Sequence, residues 1–146
     1  MWWRERSKAL AFILILAALL RVFFAFAYGN KLRYSDSLQY VEFAQNLSQE
    51  GEFRATQKDG LVVRAYRPPA YPWTIYLLGD IPHSFTWVKI FQILLSLLSI
   101  FLIYEILDNS LGRKGAFLGA LIWAVFPSSI YYTSAILTEC TFSAYL

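Results

Sequence analysis

The sequence predicts an all-α integral membrane protein, and composition and hydrophobic patterning both support this fold class. Hydrophobic residues make up 58% of the chain and charged residues 16%, whereas soluble domains have about 45–50% apolar and about 25% charged residues. The apolar residues are concentrated in three runs, at about residues 9–28, 87–107 and 115–132. A helix of about 20 residues crosses a bilayer core of ~30 Å. Each run therefore predicts a transmembrane helix, and the apolar stretch around Glu139 predicts the start of a fourth.

Basic residues predict how these helices are oriented. Three of the first eight residues are Arg or Lys, and cytoplasmic segments of membrane proteins are enriched in such residues. The N-terminus is therefore predicted to be cytoplasmic and loop 29–86 non-cytoplasmic. The basic turn at Arg113 and Lys114 returns to the cytoplasm. These expectations together describe a multi-pass protein of the cell membrane.

Arg21 is the one charged residue inside the first apolar run. A guanidinium in hydrocarbon is costly unless it reaches the interface or finds a polar partner. Its position near the outer end of the run favours a side chain that snorkels to the interface. The alternative is pairing with an anionic ligand or a carboxylate in a cavity lined by protein.

Loop 29–86 contains one amphipathic helix. Its apolar positions recur at helical spacing and are Tyr40, Phe43, Ala44 and Leu47, whereas Gln39, Glu42, Asn46 and Gln49 occupy the other face. Asp36, followed three residues later by Gln39, resembles a capping box, and Gly51 is a natural helix end. Such a helix is expected to lie in the membrane interface.

A second juxtamembrane segment follows the double proline after Arg67. Prolines in succession do not continue a helix, and the apolar residues 70–78 are too few to span a bilayer. If this segment does not cross, Asp36, Arg67 and Glu139 all belong to the non-cytoplasmic side. This arrangement also leaves the basic Arg113 turn in the cytoplasm.

Composition and motifs exclude several function classes. The sequence has no phosphate-binding glycine loop, no dinucleotide fingerprint and no zinc-protease or hydrolase motif. A single histidine, His83, rules out a triad or metal site built from several histidines of this chain, and it reads as an interfacial loop residue. The lone cysteine, Cys140, excludes an internal disulfide and reads as a small packing residue. No basic block with interleaved aromatics indicates nucleic-acid binding.

Asp36, Arg67 and Glu139 are the candidate functional residues, and each has a structural alternative. Asp36 can serve as a helix N-cap. Arg67 can meet lipid headgroups, and Glu139 can favour a helix N-terminus. An ionisable residue at the edge of a membrane helix is nevertheless a candidate for function.

Five segments in order resemble the N-terminal region of the GT-C membrane glycosyltransferases, in particular the protein mannosyltransferase-like group that includes the lipid A aminoarabinose transferases. They are Asp36–Gly51 with Tyr40, Ala44 and Leu47, then Arg67-Pro-Pro-Ala-Tyr-Pro72, Gly112-Arg-Lys-Gly115, Pro127 with Tyr131-Tyr132, and Leu137-Thr-Glu139. The resemblance covers essentially the whole chain. It implies that residues 1–146 are the N-terminal portion of one multi-spanning domain, and the chain is expected to be a fragment that is inactive alone.

The resemblance implies transfer of a sugar from a polyprenyl-phosphate carrier to a protein, lipid or glycan acceptor on the non-cytoplasmic side. Asp36 matches the acid in the loop that is essential for activity, and Glu139 matches a second acid of the same cavity. Arg67 matches the basic residue near the carrier phosphate. Many relatives have glutamate where this chain has Tyr66, so that acid's role is not carried over. Two carboxylates can also hold a divalent cation, and the sequence does not decide between a base and a metal ligand.

Two other functions are compatible with the same residues. A transporter or flippase for a lipid-linked sugar would use the acids as substrate contacts, and inverted repeats with broken helices would favour it. No such repeat occurs within the sequence. A non-catalytic, truncated membrane subunit is the second alternative. The sequence names neither the sugar nor the acceptor.

Overall fold

The computed structural model describes residues 2–57, 59–64, 67–79 and 84–145, without the side chains of residues 2–6 and 143–145. Within this part of the chain the elements are α1 (Trp2–Tyr28), α2 (Ser35–Glu50), β1 (Ala55–Thr56), β2 (Val62–Val63), α3 (Ala70–Leu78), α4 (Thr86–Val125), α5 (Pro127–Tyr132) and α6 (Glu139–Tyr145). They form two compact units. The helical unit comprises Met1–Gly29, Gln92–Ser134 and Glu139–Leu146, and the loop unit comprises Asn30–Phe91 and Ala135–Thr138.

Two helices of the described chain are long and apolar enough to cross a membrane, namely Ser7–Tyr28 of α1 and Thr86–Val125 of α4. Only 17% and 28% of their most apolar windows are buried, whereas a core helix of a soluble protein is mostly buried. Phe23 and Phe26 of α1 are 73% and 84% exposed. Large apolar surfaces of this kind are suited to lipid, so the chain is a membrane protein.

Helix α4 reverses direction at Gly112, where φ is +71° and the backbone is not helical. This conformation favours glycine because it lacks a Cβ. In a straight helix, positions 107 and 119 would be about 18 Å apart, yet a Cβ on Gly119 would lie 2.2 Å from Leu107 Cδ1. Residues 86–111 and 113–125 are therefore two arms folded against each other. Gly119 therefore packs closely against the other arm, whereas a Cβ on Gly115 would meet Leu111 of the neighbouring turn at 2.6 Å.

The core of the helical unit combines both arms with α1. Its buried members are Ile13 and Ala17 from α1, Ile100 and Tyr104 from the first arm, and Ala116, Ala120 and Ala124 from the second arm. Alanine recurs every fourth residue along the second arm, which places one small side chain per turn on the buried face. Small residues on one face let helix backbones approach closely.

The predicted third helix, 115–132, is wrong as a single element. The second arm ends at Val125, Phe126 is extended, and Pro127 begins the separate helix α5. Proline disfavours a helical conformation in the residue before it and lacks the N–H that would continue the ladder. The same properties suit proline to the first position of a new helix.

In the loop unit, α2 is amphipathic as predicted, and its buried residues are Ser37, Tyr40, Val41, Phe43 and Ala44. It ends at Gly51, whose φ of +71° is left-handed. Helix α3 coincides with the predicted segment 70–78 and measures about 14 Å along its axis. The two helices pack through Tyr40 and Tyr71, whose ring centroids are 5.2 Å apart at 82°.

The capping role predicted for Asp36 is wrong. Helix α2 begins two residues earlier than an Asp36 cap requires, with Tyr34 at the N-cap position and no side-chain hydrogen bond from it. Asp36 lies in the first turn, where a negative charge is favoured by the helix dipole. Its carboxylate is therefore available to a partner from elsewhere in the chain.

The expectation of an all-α chain also needs correction, because the loop unit contains a two-stranded antiparallel hairpin with Ala55 opposite Val63. Polar residues of α2 anchor it: the Thr56 N–H donates to Glu42 Oε1 at 2.7 Å, and Asn46 Nδ2 donates to the Arg54 carbonyl at 2.8 Å. Strands of two residues are too short to show an alternating pattern. Contacts distant in sequence therefore define this hairpin.

Candidate functional site

Arg67 is placed by the prolines that follow it. Pro69 is the N-cap residue of α3, and its carbonyl accepts from the Trp73 N–H at 3.0 Å. Because Pro68 and Pro69 have fixed φ angles, the chain enters α3 in one direction. Arg67 thus lies immediately before the helix that packs on α2.

One face of α2 holds the Arg67 guanidinium through three residues spaced at i, i+3 and i+4. Nη2 forms an ion pair and hydrogen bond with Asp36 Oδ1, and Nε donates to Gln39 Oε1 at 3.0 Å. The guanidinium carbon lies 5.5 Å from the centre of the Tyr40 ring, within cation–π distance. The structure therefore brings together two of the three predicted site residues, Asp36 and Arg67.

This cluster is partly open to solvent. The side chain of Arg67 is 21% exposed and that of Asp36 is 44% exposed, whereas Tyr40 is buried. The aromatic base is therefore fixed in the core of the loop unit, and the charged groups above it can be reached by a ligand. The guanidinium can bind an anion, and the accessible carboxylate beside it can accept a proton.

Glu139, the third predicted site residue, is the first residue of α6 in the helical unit. It lines a cavity of ≈ 270 Å³ together with several aromatic side chains. Hydroxyl groups border the same cavity and belong to Ser96, Ser99, Ser128, Ser129 and Tyr132. Mixed aromatic and hydroxyl walls with one carboxylate can hold a polar group of modest size.

Arg21 is fully buried in the helical unit, so the interpretation that it snorkels is wrong. Its Nε donates to Ser96 Oγ at 2.9 Å, and its Nη2 donates to Ser129 Oγ at 3.1 Å. Nη1 donates to the carbonyls of Ala17 and Ala124 at 3.2 and 2.9 Å. All four acceptors are neutral. Because Ser96 and Ser129 also border the cavity, Arg21 fixes part of its wall.

Sequence reasoning missed the functional neighbours of these residues. The helical pattern places Gln39 on the polar face of α2, and its spacing from Asp36 puts both residues on one side of the helix, but the pattern does not show that they share a partner. Ser96 and Ser99 are hydroxyl residues one turn apart in an apolar run, and that pattern is a usable signal for a polar cavity. Apart from the Ala17 carbonyl one turn away, the partners of Arg21 had no local signal, since they lie 75 to 108 residues away along the chain.

Among the described residues, no three His, Cys, Asp or Glu side chains are grouped so as to hold a metal ion. The possibility of a divalent cation therefore gains no support from the structure. Cys140 is buried, with its thiol donating to the Gln92 carbonyl at 3.2 Å, which confirms its packing role. His83 and Tyr66 lie outside the described residues.

Comparison with known families gives one match. The family described as dolichyl-phosphate-mannose-protein mannosyltransferase matches residues 66–145, which is 80 of the 146 residues. The matched part includes Arg67 and Glu139, whereas Asp36 precedes it. No curated protein and no solved structure matches the chain. The match confirms the resemblance stated from the sequence and does not favour a transporter.

Proposed function

Because the chain belongs to the dolichyl-phosphate-mannose-protein mannosyltransferase family, we propose that it works in an enzyme that transfers a sugar from a polyprenyl-phosphate carrier to an acceptor. Full-length members of this family are glycosyltransferases. The family's description names a lipid-linked phosphate as donor and a protein as acceptor. For this chain, we propose a donor of that chemical class and an acceptor hydroxyl on a protein, lipid or glycan.

The observation that carries the proposal is the pairing of Asp36 and Arg67 on α2. In the transfer, the acceptor oxygen bonds to the anomeric carbon while the bond from that carbon to the carrier phosphate breaks. The phosphate leaves with the bonding electrons, and the acceptor hydroxyl loses its proton. Arg67 binds the phosphate as its charge grows, and Asp36 accepts the proton as a general base. The two groups required by the reaction are thus neighbours.

Glu139 is proposed as a second acid that orients the acceptor or the sugar. Its cavity offers aromatic surfaces and hydroxyl groups, which suit a sugar ring with its polar edges and apolar faces. A carboxylate at such a cavity can accept hydrogen bonds from ligand hydroxyls. This role does not require Glu139 to take up a proton.

The reaction is proposed to occur on the non-cytoplasmic side, with three membrane crossings: one by α1, one by the first arm of α4, and one by the second arm together with α5, since the second arm alone is shorter than a bilayer core. The reversal at Gly112 supports a crossing on each side of it, because the arms fold back on each other. The basic residues Arg113 and Lys114 occupy that reversal, in keeping with a cytoplasmic turn. Helix α6 is proposed to open a fourth crossing.

The proposed chemistry is tested by Asp36→Asn in the enzyme that contains this chain. Asparagine retains an oxygen that can accept from Arg67 but is not a base, so transfer should fall by about 10²–10⁴-fold. Transfer of radiolabelled sugar from a polyprenyl phosphate to acceptor is the measurement. Glu42→Gln is the matched control, since Glu42 is an acid of the same helix that contacts the hairpin instead. Near-normal transfer by Asp36→Asn would refute the catalytic assignment.

The proposed sidedness is tested by single cysteines in a Cys140→Ser background. Cysteines replacing Asp59 or Ser128, both exposed, should react with an impermeant thiol reagent added to intact cells. A cysteine replacing Ser110 near the reversal of α4 should react only after the membrane is permeabilised. Labelling of position 110 in intact cells would contradict the proposed orientation.

A further inference from the structure

Arg67 contacts Asp36, Gln39 and Tyr40, and these three residues differ in charge and in exposure. Asp36 contributes a carboxylate whose side chain is 44% exposed. Gln39 contributes a neutral amide oxygen, and Tyr40 contributes the face of a buried ring. An incoming anion competes with the carboxylate for the guanidinium, whereas it does not compete with the ring face.

We propose that the phosphate of the lipid carrier takes the place of Asp36 on Arg67, while Gln39 and Tyr40 keep the guanidinium in position. This inference rests on the proposed function, in which Arg67 binds that phosphate. It adds two positioning residues, Gln39 and Tyr40, and a sequence of events. Donor binding breaks the hydrogen bond from Arg67 to Asp36 and forms new ones from Arg67 to the phosphate oxygens.

The exchange is favoured by the exposure of the ion pair. A carboxylate that is nearly half exposed recovers water when it leaves its partner, and such pairs contribute little to stability. The phosphate of the sugar donor is a diester that carries one negative charge, as a carboxylate does, and its non-bridging oxygens match the planar guanidinium. Exchanging Asp36 for the phosphate therefore keeps one negative charge beside Arg67, and the monophosphate released by transfer, which carries more charge, interacts more strongly.

Gln39 and Tyr40 keep the Arg67 guanidinium oriented while its anionic partner changes. Gln39 accepts from Nε, so it restrains the rotation of the guanidinium plane, and Tyr40 supports its face. The Tyr40 ring is itself held against Tyr71 at 5.2 Å. Because the guanidinium is already oriented, donor binding does not have to order a flexible side chain.

The exchange links donor binding to the availability of Asp36. In the structure, Asp36 Oδ1 accepts from Arg67. Once the phosphate occupies Arg67, that oxygen is available to the acceptor hydroxyl. The proposed base is thereby presented after the donor arrives.

Equilibrium binding of radiolabelled polyprenyl monophosphate to the chain in phosphatidylcholine nanodiscs tests the exchange. If Asp36 competes with the phosphate, Asp36→Ala and Asp36→Asn should bind the probe about two- to five-fold more tightly than the unmodified chain, the range expected for loss of an exposed ion pair. Glu42→Gln, with the same change of charge on the same helix, should leave binding unchanged. Unphosphorylated polyprenol should not distinguish the variants.

Gln39→Met tests the positioning role, with Gln49→Met as the matched control at an exposed site of α2. Gln39→Met should weaken binding of the monophosphate several-fold and leave the binding of polyprenol unchanged. Circular dichroism of each variant checks that the helices are retained. Weakening by Gln49→Met as large as that by Gln39→Met would overturn the positioning role.

The remaining outcomes separate this inference from the proposed function. Unchanged or weaker binding in both Asp36 variants, with binding lost in Arg67→Gln, would overturn the exchange and leave the phosphate role of Arg67 intact. Equal tightening by Glu42→Gln would show that general charge, and not competition at Arg67, controls affinity. Full binding by Arg67→Gln would refute both the exchange and the assignment of Arg67 to the phosphate.

Discussion

Arg21 in the helical unit and Arg67 in the loop unit are both held by hydrogen bonds, but their environments differ. Arg21 is fully buried, and its four acceptors are two serine hydroxyls and two backbone carbonyls. Arg67 is 21% exposed and pairs with the carboxylate of Asp36. One guanidinium therefore joins neutral groups inside a packed bundle, and the other meets a charged group at an accessible surface.

The difference indicates which arginine can exchange partners. Removing Arg21 from its acceptors would leave buried polar groups without hydrogen bonds, which is costly in a bundle that excludes water. Releasing Asp36 from Arg67 costs little, because both groups remain in contact with water. We therefore infer a structural role for Arg21 and propose a ligand-binding role for Arg67, and substitutions at the two positions should affect different measurements.

Of the two arginines, Arg67 should give the larger effect when it is substituted, and the effect should be a loss of sugar transfer. In the intact enzyme, Arg67→Gln should reduce kcat/KM by about 10²–10³-fold, as expected for loss of a group that stabilises developing charge. Arg67→Lys should retain part of the activity, since an ammonium preserves the charge without the planar fork. Steady-state kinetics with a polyprenyl-phosphate sugar separate the two variants. The loss should include kcat, because charge on the phosphate grows toward the transition state.

Arg64→Gln is the matched control for this prediction. Arg64 is 73% exposed and pairs with Glu52 Oε2 at 3.4 Å, so its removal should change stability and activity little. Equal, mild losses of transfer at Arg64 and Arg67 would mean that both arginines contact only lipid headgroups or water at the surface. Arg67 would then have no ligand-binding role to distinguish it from Arg21.

Substitution of Arg21 should have the smaller effect, and the effect should be a lower free energy of unfolding. Arg21→Met fills a similar volume but leaves the Ala124 carbonyl and two serine hydroxyls without their donor. The free energy of unfolding should fall by about 1–3 kcal/mol, measured by denaturation in detergent micelles. The free energy of unfolding should fall less in Arg21→Lys, since an ammonium can donate hydrogen bonds to some of the acceptors. Lys31 is an exposed cation beyond α1, and the free energy of unfolding of Lys31→Met should stay within about 0.5 kcal/mol of that of the unmodified chain.

A loss as small in Arg21→Met as in Lys31→Met would contradict the structural role of Arg21. It would imply that the serines and carbonyls find other partners, so that the hydrogen bonds of Arg21 add nothing to stability. Burial alone would then not distinguish the two arginines.

Much of the local structure follows from sequence patterns. The apolar face of α2 follows from residues spaced at helical intervals, and Gly51 ends that helix because it adopts a positive φ. Helix α3 agrees with prediction at both ends, since Pro69 and Gly79 bound it. The family match confirms the resemblance read from short motifs. The catalytic roles of Asp36 and Glu139 and the phosphate role of Arg67 stay predictions.

The sequence by itself determined that the chain is a membrane protein with amphipathic helices in its loop, because length, hydropathy and helix ends depend on neighbouring residues. Only the tertiary structure decided which polar groups meet. It turned Arg21 inward to Ser96 and Ser129, and it placed Asp36 against Arg67 in place of a helix cap. These partners are 31 to 108 residues apart in sequence. Such pairings depend on how helices pack and on which buried donors must find acceptors, and no local pattern encodes that choice.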